Sequence, residues 1–203
     1  MTYIRGDVAE IDAWEALGNN GWNWKTLYPY YKQVELWNPP TAAQLAAGAT
    51  YDPEFHGDSG DLKVSFLPEL SNTSFHQIAR DTWDVLGYPK IQDVNGGRTR
   101  GFDVWPMTVD RDADVREDAG RAYYWPVADR PNLKLIQGTA IRLLWQNGTA
   151  LSCNSSNARA SGVEYLDPSG AVLVLDAMKE VILSAGSLRT PPILERSGIG
   201  NPR

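Results

Sequence analysis

The apolar run Val181-Ile182-Leu183-Ser184-Ala185 stops at Gly186 and gives way to residues 187–200, SLRTPPILERSGIG, and this junction constrains the chain most. It predicts a buried strand over residues 180–184 that ends at Gly186, where a missing Cβ lets another backbone or a ligand come close. Thr190 suits a helix N-cap and Pro191 its first turn, where no amide hydrogen is needed. Ser197-Gly198 closes that short helix, with Gly198 free to take a left-handed conformation. Strand, glycine turn and short helix is how an α/β protein turns free amides toward an anionic cofactor.

The rest of the chain alternates helix and strand signals. Asp7 caps a helix carrying Ile11, Trp14 and Leu17 that ends near Gly18 to Gly21. Trp22, Trp24, Leu27, Tyr30, Tyr31 and Val34 recur at helical spacing and read as a core-facing aromatic stripe. Leu62, Val64 and Phe66 alternate with polar residues as in a half-buried strand. Residues 75–86 have helical spacing and end at Gly87, and residues 116–125 read as another helix, stopped by Pro126. Strands are predicted over residues 132–136 and 140–145, and residues 162–165 and 171–175 form a hairpin around 167–170 (DPSG).

Several classes are excluded by what the sequence holds. A formal charge of −6 with no Lys/Arg cluster disfavours nucleic acid. No apolar run reaches the ~20 residues that span a bilayer. The opening MTYIRG does not read as a signal peptide, yet sequons at Asn72, Asn147 and Asn154 suggest a secreted, glycosylated protein. The single Cys153 forms no intrachain disulfide and no cysteine-rich metal site. Asp110, Asp112 and Asp114 open like a calcium loop, but Val115 and Arg121 stand where Gly and Glu are required, so a solvated charged turn is expected. His56 and His76 make no metal pattern, and His56, between Phe55 and Gly57, reads as a hydrogen-bonded turn residue. No Gly-x-Gly-x-x-Gly fingerprint occurs anywhere, so a dinucleotide site built by this chain is incomplete.

Gly186, Ser187, Thr190, Pro191, Ile193, Leu194, Ser197, Gly198, Ile199 and Gly200 fill every fixed place of the second signature of the glucose–methanol–choline (GMC) oxidoreductases, which this segment resembles. The opening MTYIRG with Asp12 resembles the tail of the first signature. Gly18 to Trp24, Tyr30-Tyr31-Lys32, Phe55-His56-Gly57 with Gly60, and Arg130 to Leu133 also match the family's spacing, closest to its fungal glucose-oxidase-like branch. Some members of that branch carry cysteine before the His-Gly pair; Phe55 stands there.

The resemblance implies an α+β or α/β fold. Residues 1–54 would be a helical extension of an FAD-binding domain, 55–129 part of an antiparallel-sheet substrate domain, and 130–203 part of the FAD-binding domain. It implies FAD as cofactor and a small alcohol or sugar as substrate, with no nucleic-acid or membrane partner and a homodimer left open for the full-length protein. Thr2 falls where the family meets the flavin diphosphate, Ile141 where main-chain groups read the adenine edge, and Ala185, Gly186 and Ser187 where a turn approaches the cofactor. The family's catalytic pair, a His with a second His or Asn, has no counterpart here, so no catalytic and no metal-binding residue is assigned. Met1 is then expected to be internal to a longer frame or to open a truncated copy, and the chain alone to be inactive and to hold FAD weakly. A redox-neutral cyclase on the same fold and a secreted carbohydrate-binding module using the eight tryptophans stay open as alternatives.

Overall fold

Asp7 starts the first helix by accepting the amide of Ala9 at 3.0 Å, while the Glu10 carboxylate returns to the Asp7 amide as a capping box. This α1 (Val8–Ala16) is followed by α2 (Trp24–Val34), whose cap Asn23 accepts from the Thr26 amide at 2.9 Å. A computed structural model describes residues 1–68, 70, 74–146 and 158–200 of the chain. These fall into two units, Met1–Leu133 and Lys134–Arg203. The sequon asparagines Asn72, Asn147 and Asn154, and Cys153, lie outside the described residues.

In the first unit α2 runs directly into β1 (Glu35–Trp37), which pairs in parallel with β2 (Leu62–Val64), Glu35 opposite Leu62 and Trp37 opposite Val64. Between them lie α3 (Ala42–Ala46) and the loop carrying His56-Gly57. Glycine is required at positions 57 and 60 because the loop lies on the backbone where α2 runs into β1. A Cβ on Gly57 would sit 1.8 Å from the Lys32 carbonyl oxygen, and one on Gly60 2.2 Å from the Val34 carbonyl carbon. The helix α4 (Ser74–Val85) follows, as the spacing predicts, and then the short antiparallel pair β3 (Val109–Asp110) and β4 (Val115–Arg116). The most deeply buried side chains are Phe66, Glu35, Val64, Asn95 and Ser65, an unusual share of them polar.

Three expectations in this unit need correction. The aromatic stripe is not core: no residue of α1 or α2 is buried, and Trp22 and Tyr30 are 51% and 62% exposed. The rings instead cover one another, Trp14 stacking on Trp22 and Trp24 on Tyr28 at 5.7 and 5.3 Å. Residues 116–125 are not one α-helix. Arg116 pairs with Val109, and the chain then makes a π-helical turn, Gly120–Tyr124, and a 3₁₀ turn, Trp125–Val127. The Trp125 amide reaches the Gly120 carbonyl, five residues back, and Pro126, with no amide to give Ala122, ends the α-type ladder there. The Asp-rich turn does link β3 to β4, but Asp110 is buried and ion-paired with Lys63 rather than solvated.

The second unit is a three-stranded antiparallel sheet, β5 (Thr139–Trp145), β6 (Ala160–Leu166) and β7 (Val172–Asp176), in that order, with α5 (Thr190–Arg196) packed on β5. The predicted hairpin forms, its turn built by the Asp167 carboxylate accepting the amides of Ser169 and Ala171, both at 2.9 Å. The strands expected over residues 132–136 and 180–184 do not form. Leu135 and Ile182 are 79% and 76% exposed, and among the described residues no strand lies beside either run. An apolar run becomes a strand only where a neighbour accepts its ladder. No helix among the described residues is long and apolar enough to cross a membrane.

Candidate functional site

Ile141 occupies a break in the sheet. The pairing of β5 with β6 steps from Ala140–Tyr165 to Arg142–Glu164 and skips Ile141, so this residue is the extra one of a β-bulge. A bulge takes its residue's main chain out of the ladder, leaving backbone groups for another partner. A hollow of about 540 Å³ opens beside this strand, lined by Arg142, Trp145, Ser161, Glu195 and Gly198.

The turn at Ala185, Gly186 and Ser187 leads into α5. Gly186 has φ +84°, a left-handed backbone, with open space where a Cβ would stand, so conformation rather than crowding calls for glycine. Thr190 is not the helix cap; Arg189 holds that place without a side-chain bond. The Thr190 hydroxyl accepts from the Ala185 amide at 3.1 Å, and the Gly186 carbonyl accepts from Arg189 and Thr190 at 3.2 and 2.9 Å. The turn is thereby fixed. The amides of Gly186 and Ser187 donate to nothing among the described residues. Gly198, with φ +82°, ends the helix as expected.

Ser197 shows why the signature wants serine before Gly198. It is 4% exposed; its hydroxyl accepts from the Leu143 amide at 2.7 Å and donates to the Ile193 carbonyl at 2.6 Å. The Trp145 indole donates to the Ser197 carbonyl at 2.8 Å. The helix after the glycine turn is thus tied to the strand that bears Ile141.

Thr2 belongs to the first unit and is exposed, bridging to Met107 in a short antiparallel contact. Three residues on, Arg5 is buried and anchors that segment. Its guanidinium donates to Glu35 Oε2 at 2.9 Å and to the carbonyls of Phe55 and Asn95, and its amide donates to Asn95 Oδ1 at 3.0 Å. Glu35 also accepts from the Gly57 amide at 2.9 Å, and its other oxygen lies 2.9 Å from His56 Nδ1. His56 Nε2 lies 2.7 Å from Asp93 Oδ2, and the Trp37 ring stacks on the imidazole at 3.6 Å and 11°. Burial works against a charge on His56, but the hydrogen bonds to Asp93 and Glu35 outweigh it and hold its pKa above the ordinary value. The sequence marked His56 as a hydrogen-bonded turn residue, and it is one. Glu35 and Asp93 are missed by sequence reasoning; the one signal for Glu35 is an acid set between apolar neighbours, Val34 and Leu36.

A second hollow, about 390 Å³, opens in the first unit among Phe66, Phe75, Phe102, Trp105 and Met107, with Asp103 in its wall. Burial pushes the Asp103 carboxyl up to about 6, against the pull of the Val94 amide at 3.2 Å. One of its oxygens is buried with no hydrogen-bond partner among the described residues.

A family model described as GMC oxidoreductase matches residues 1–203, the whole chain. The chain belongs to the GMC oxidoreductase family. The glucose oxidase-like protein fsoC of Humicola fuscoatra is 49% identical over 190 residues, which cover 94% of this chain and 32% of that protein. Glucose oxidase of Aspergillus carbonarius is 35% identical over 205 residues, 98% of this chain and 32% of its own. An FAD-dependent oxidoreductase from Chaetomium thermophilum has the same fold over 98% of this chain and 33% of that one, with a TM-score of 0.84 and 32% identity. The chain therefore spans about a third of the length of the relatives it matches. The mixed helix-and-sheet architecture and the glucose-oxidase-like resemblance agree with these relatives.

Proposed function

We propose that this chain supplies part of the FAD-binding body and part of the substrate wall of an oxidoreductase acting on the CH–OH group of an alcohol or sugar. The family match across all 203 residues carries the reading. The three-part division, residues 1–54 and 130–203 toward the flavin and 55–129 toward the substrate, is part of the same proposal. In it Ile141 meets the adenine edge through its bulged main chain, and the turn at Ala185, Gly186 and Ser187 approaches the diphosphate, as does Thr2. The donor set suits the ADP half of FAD: the amides of Gly186 and Ser187 are held in place and not otherwise used, while that of Ala185 fixes the turn through Thr190. Bound flavin would take hydride from the alcohol carbon.

The chain's own histidine at position 56 is not a candidate base, because both its ring nitrogens face carboxylates. The chain alone is accordingly proposed to bind FAD weakly and to turn over no alcohol. Secretion is proposed on the three sequons. Neither a redox-neutral cyclase nor a carbohydrate-binding module is favoured by the relatives, which are named as oxidases, dehydrogenases and oxidoreductases.

Titrating the purified chain with FAD, FMN and ADP, followed by tryptophan fluorescence, tests the assignment. Weak FAD binding that ADP displaces, with no response to FMN and no alcohol or glucose oxidation, is the expected result. Equal binding of FMN and FAD without ADP competition would remove the adenine-side assignment. A stoichiometrically yellow protein that oxidises alcohols would remove the proposal that the chain is inactive alone.

A further inference from the structure

The geometry around His56 points to a buried imidazolium that works as a pH-dependent clamp: we propose that the proton it carries joins Glu35 to Asp93 and so holds Arg5, and with it the segment bearing Thr2, in place. Both ring nitrogens lie within hydrogen-bond distance of carboxylate oxygens, Nδ1 at 2.9 Å from Glu35 and Nε2 at 2.7 Å from Asp93. A neutral imidazole has one N–H and one lone pair, and a carboxylate only accepts. Without the extra proton one of these two contacts would set lone pair against lone pair, on a side chain that is only 2% exposed. With it, both are charge-assisted hydrogen bonds.

The charges close locally. Arg5 and His56 are the cations, and Glu35 and Asp93 the anions, joined in one chain of contacts. Other titratable groups nearby are Tyr51, its ring 6.4 Å from the imidazole, Lys32 and Asp58, which line the same hollow as His56, Asp52, whose amide Asp93 accepts, and Asp103, which acts on Asp93. Trp37 covers one face of the imidazole and so shuts out solvent. The clamp gathers four separate stretches, at Arg5, Glu35, His56 and Asp93, which local sequence alone cannot hold together. Losing the proton therefore releases more than one bond. Asp93 also accepts the amides of Asp52 and Asn95, at 2.9 and 2.8 Å, so its loop loosens with it.

The sign follows from the direction of the shift. A His pKa raised in the folded state adds stability that is fully present below the unfolded value of about 6.5 and is lost as pH rises through the folded value. His56 thus acts through Glu35, Asp93 and Arg5, as a positioning residue. Only the consequence for Thr2 rests on the flavin reading; the protonation state does not.

Nitrogen-15 NMR of the two histidines in the ligand-free chain tests this, with His76→Gln assigning the signals. Expected is a His56 ring with both nitrogens protonated at the acid end of the titration and a midpoint above the ordinary value of about 6.5. A midpoint at or below that ordinary value, or a ring nitrogen that keeps its lone pair throughout, would overturn the clamp. In parallel, the urea midpoint of the unmodified chain should fall as pH rises from 6 to 9, and that of His56→Gln should fall less, keeping only the small decline that Asp103 contributes. A fall of equal size in His56→Gln would overturn the clamp as well. Should that variant not fold, the ring-nitrogen signals of the unmodified chain decide alone. Because neither readout involves flavin, a failure here is separate from a failure of FAD binding.

Discussion

The Met1–Leu133 unit and the Lys134–Arg203 unit solve the problem of holding a chain in opposite ways. In the first, distant stretches converge on a buried polar cluster of Arg5, Glu35, His56, Asp93 and Asn95, next to Val64 and Phe66. In the second, sequence neighbours pair as a hairpin, and one helix is fastened to the sheet by Ser197. All five of the most buried side chains belong to the first unit. The β7 strand of the second is exposed at every residue. A core of charges carries a large desolvation cost and tolerates no missing partner, whereas a local hairpin loses little when one bond is removed.

Removing a charge from the cluster should therefore do the most damage. Glu35→Ala leaves Arg5 and His56 facing each other without their shared carboxylate. The expected loss is about 3–5 kcal/mol in the unfolding of the first unit, measured by denaturant titration. A loss under about 1 kcal/mol would mean that the cluster is ornamental and that apolar packing holds both units alike.

Ser197→Ala should cost less, about 1–3 kcal/mol, since it leaves the buried Leu143 amide without an acceptor while the hairpin stays intact. Hydrogen exchange reads this directly: the Leu143 amide should speed up while the β6–β7 amides hold their rates. Uniform acceleration across the sheet would show that the second unit is as cooperative as the first.

Asp103→Asn should give the smallest effect, and a gain. A carboxyl held at about 6 when folded and near 3.8 when unfolded costs stability as pH rises from about 4 through 6. The two-unit difference corresponds to ~3 kcal/mol at most, and partial exposure reduces that to about 1–2 kcal/mol at pH 7 to 8. Asparagine keeps an acceptor for the Val94 amide and removes the charge. The gain should vanish below about pH 4, and a gain that persists there would exclude the charge as its source.

Much of the fold is legible from residues that act on their neighbours. Asp7 with Glu10, Asp167 with Gly170, and Gly198 after Ser197 build their caps and turns from contacts a few residues apart, which spacing alone reveals. The aromatic stripe of α2 was legible as a stripe but not as a surface, because periodicity reports that residues share a face and not what covers it. The apolar run before Gly186 misled for a related reason: strand formation depends on a partner that the run does not encode.

The sequence by itself determined the family, through fixed places such as Gly186, Pro191 and Ser197-Gly198, because backbone demands at turns and caps are local and few residues meet them. Tertiary structure alone decided what those places do. It showed Ser197 tying α5 to β5, Ile141 standing out of the sheet register, and Gly57 and Gly60 letting a loop lie where α2 runs into β1. It alone decided that Arg5, Glu35, His56 and Asp93 share one buried site. Those residues are up to 88 positions apart, Asp93 from Arg5, and a charge in a sequence carries no mark of the partner that makes its burial bearable.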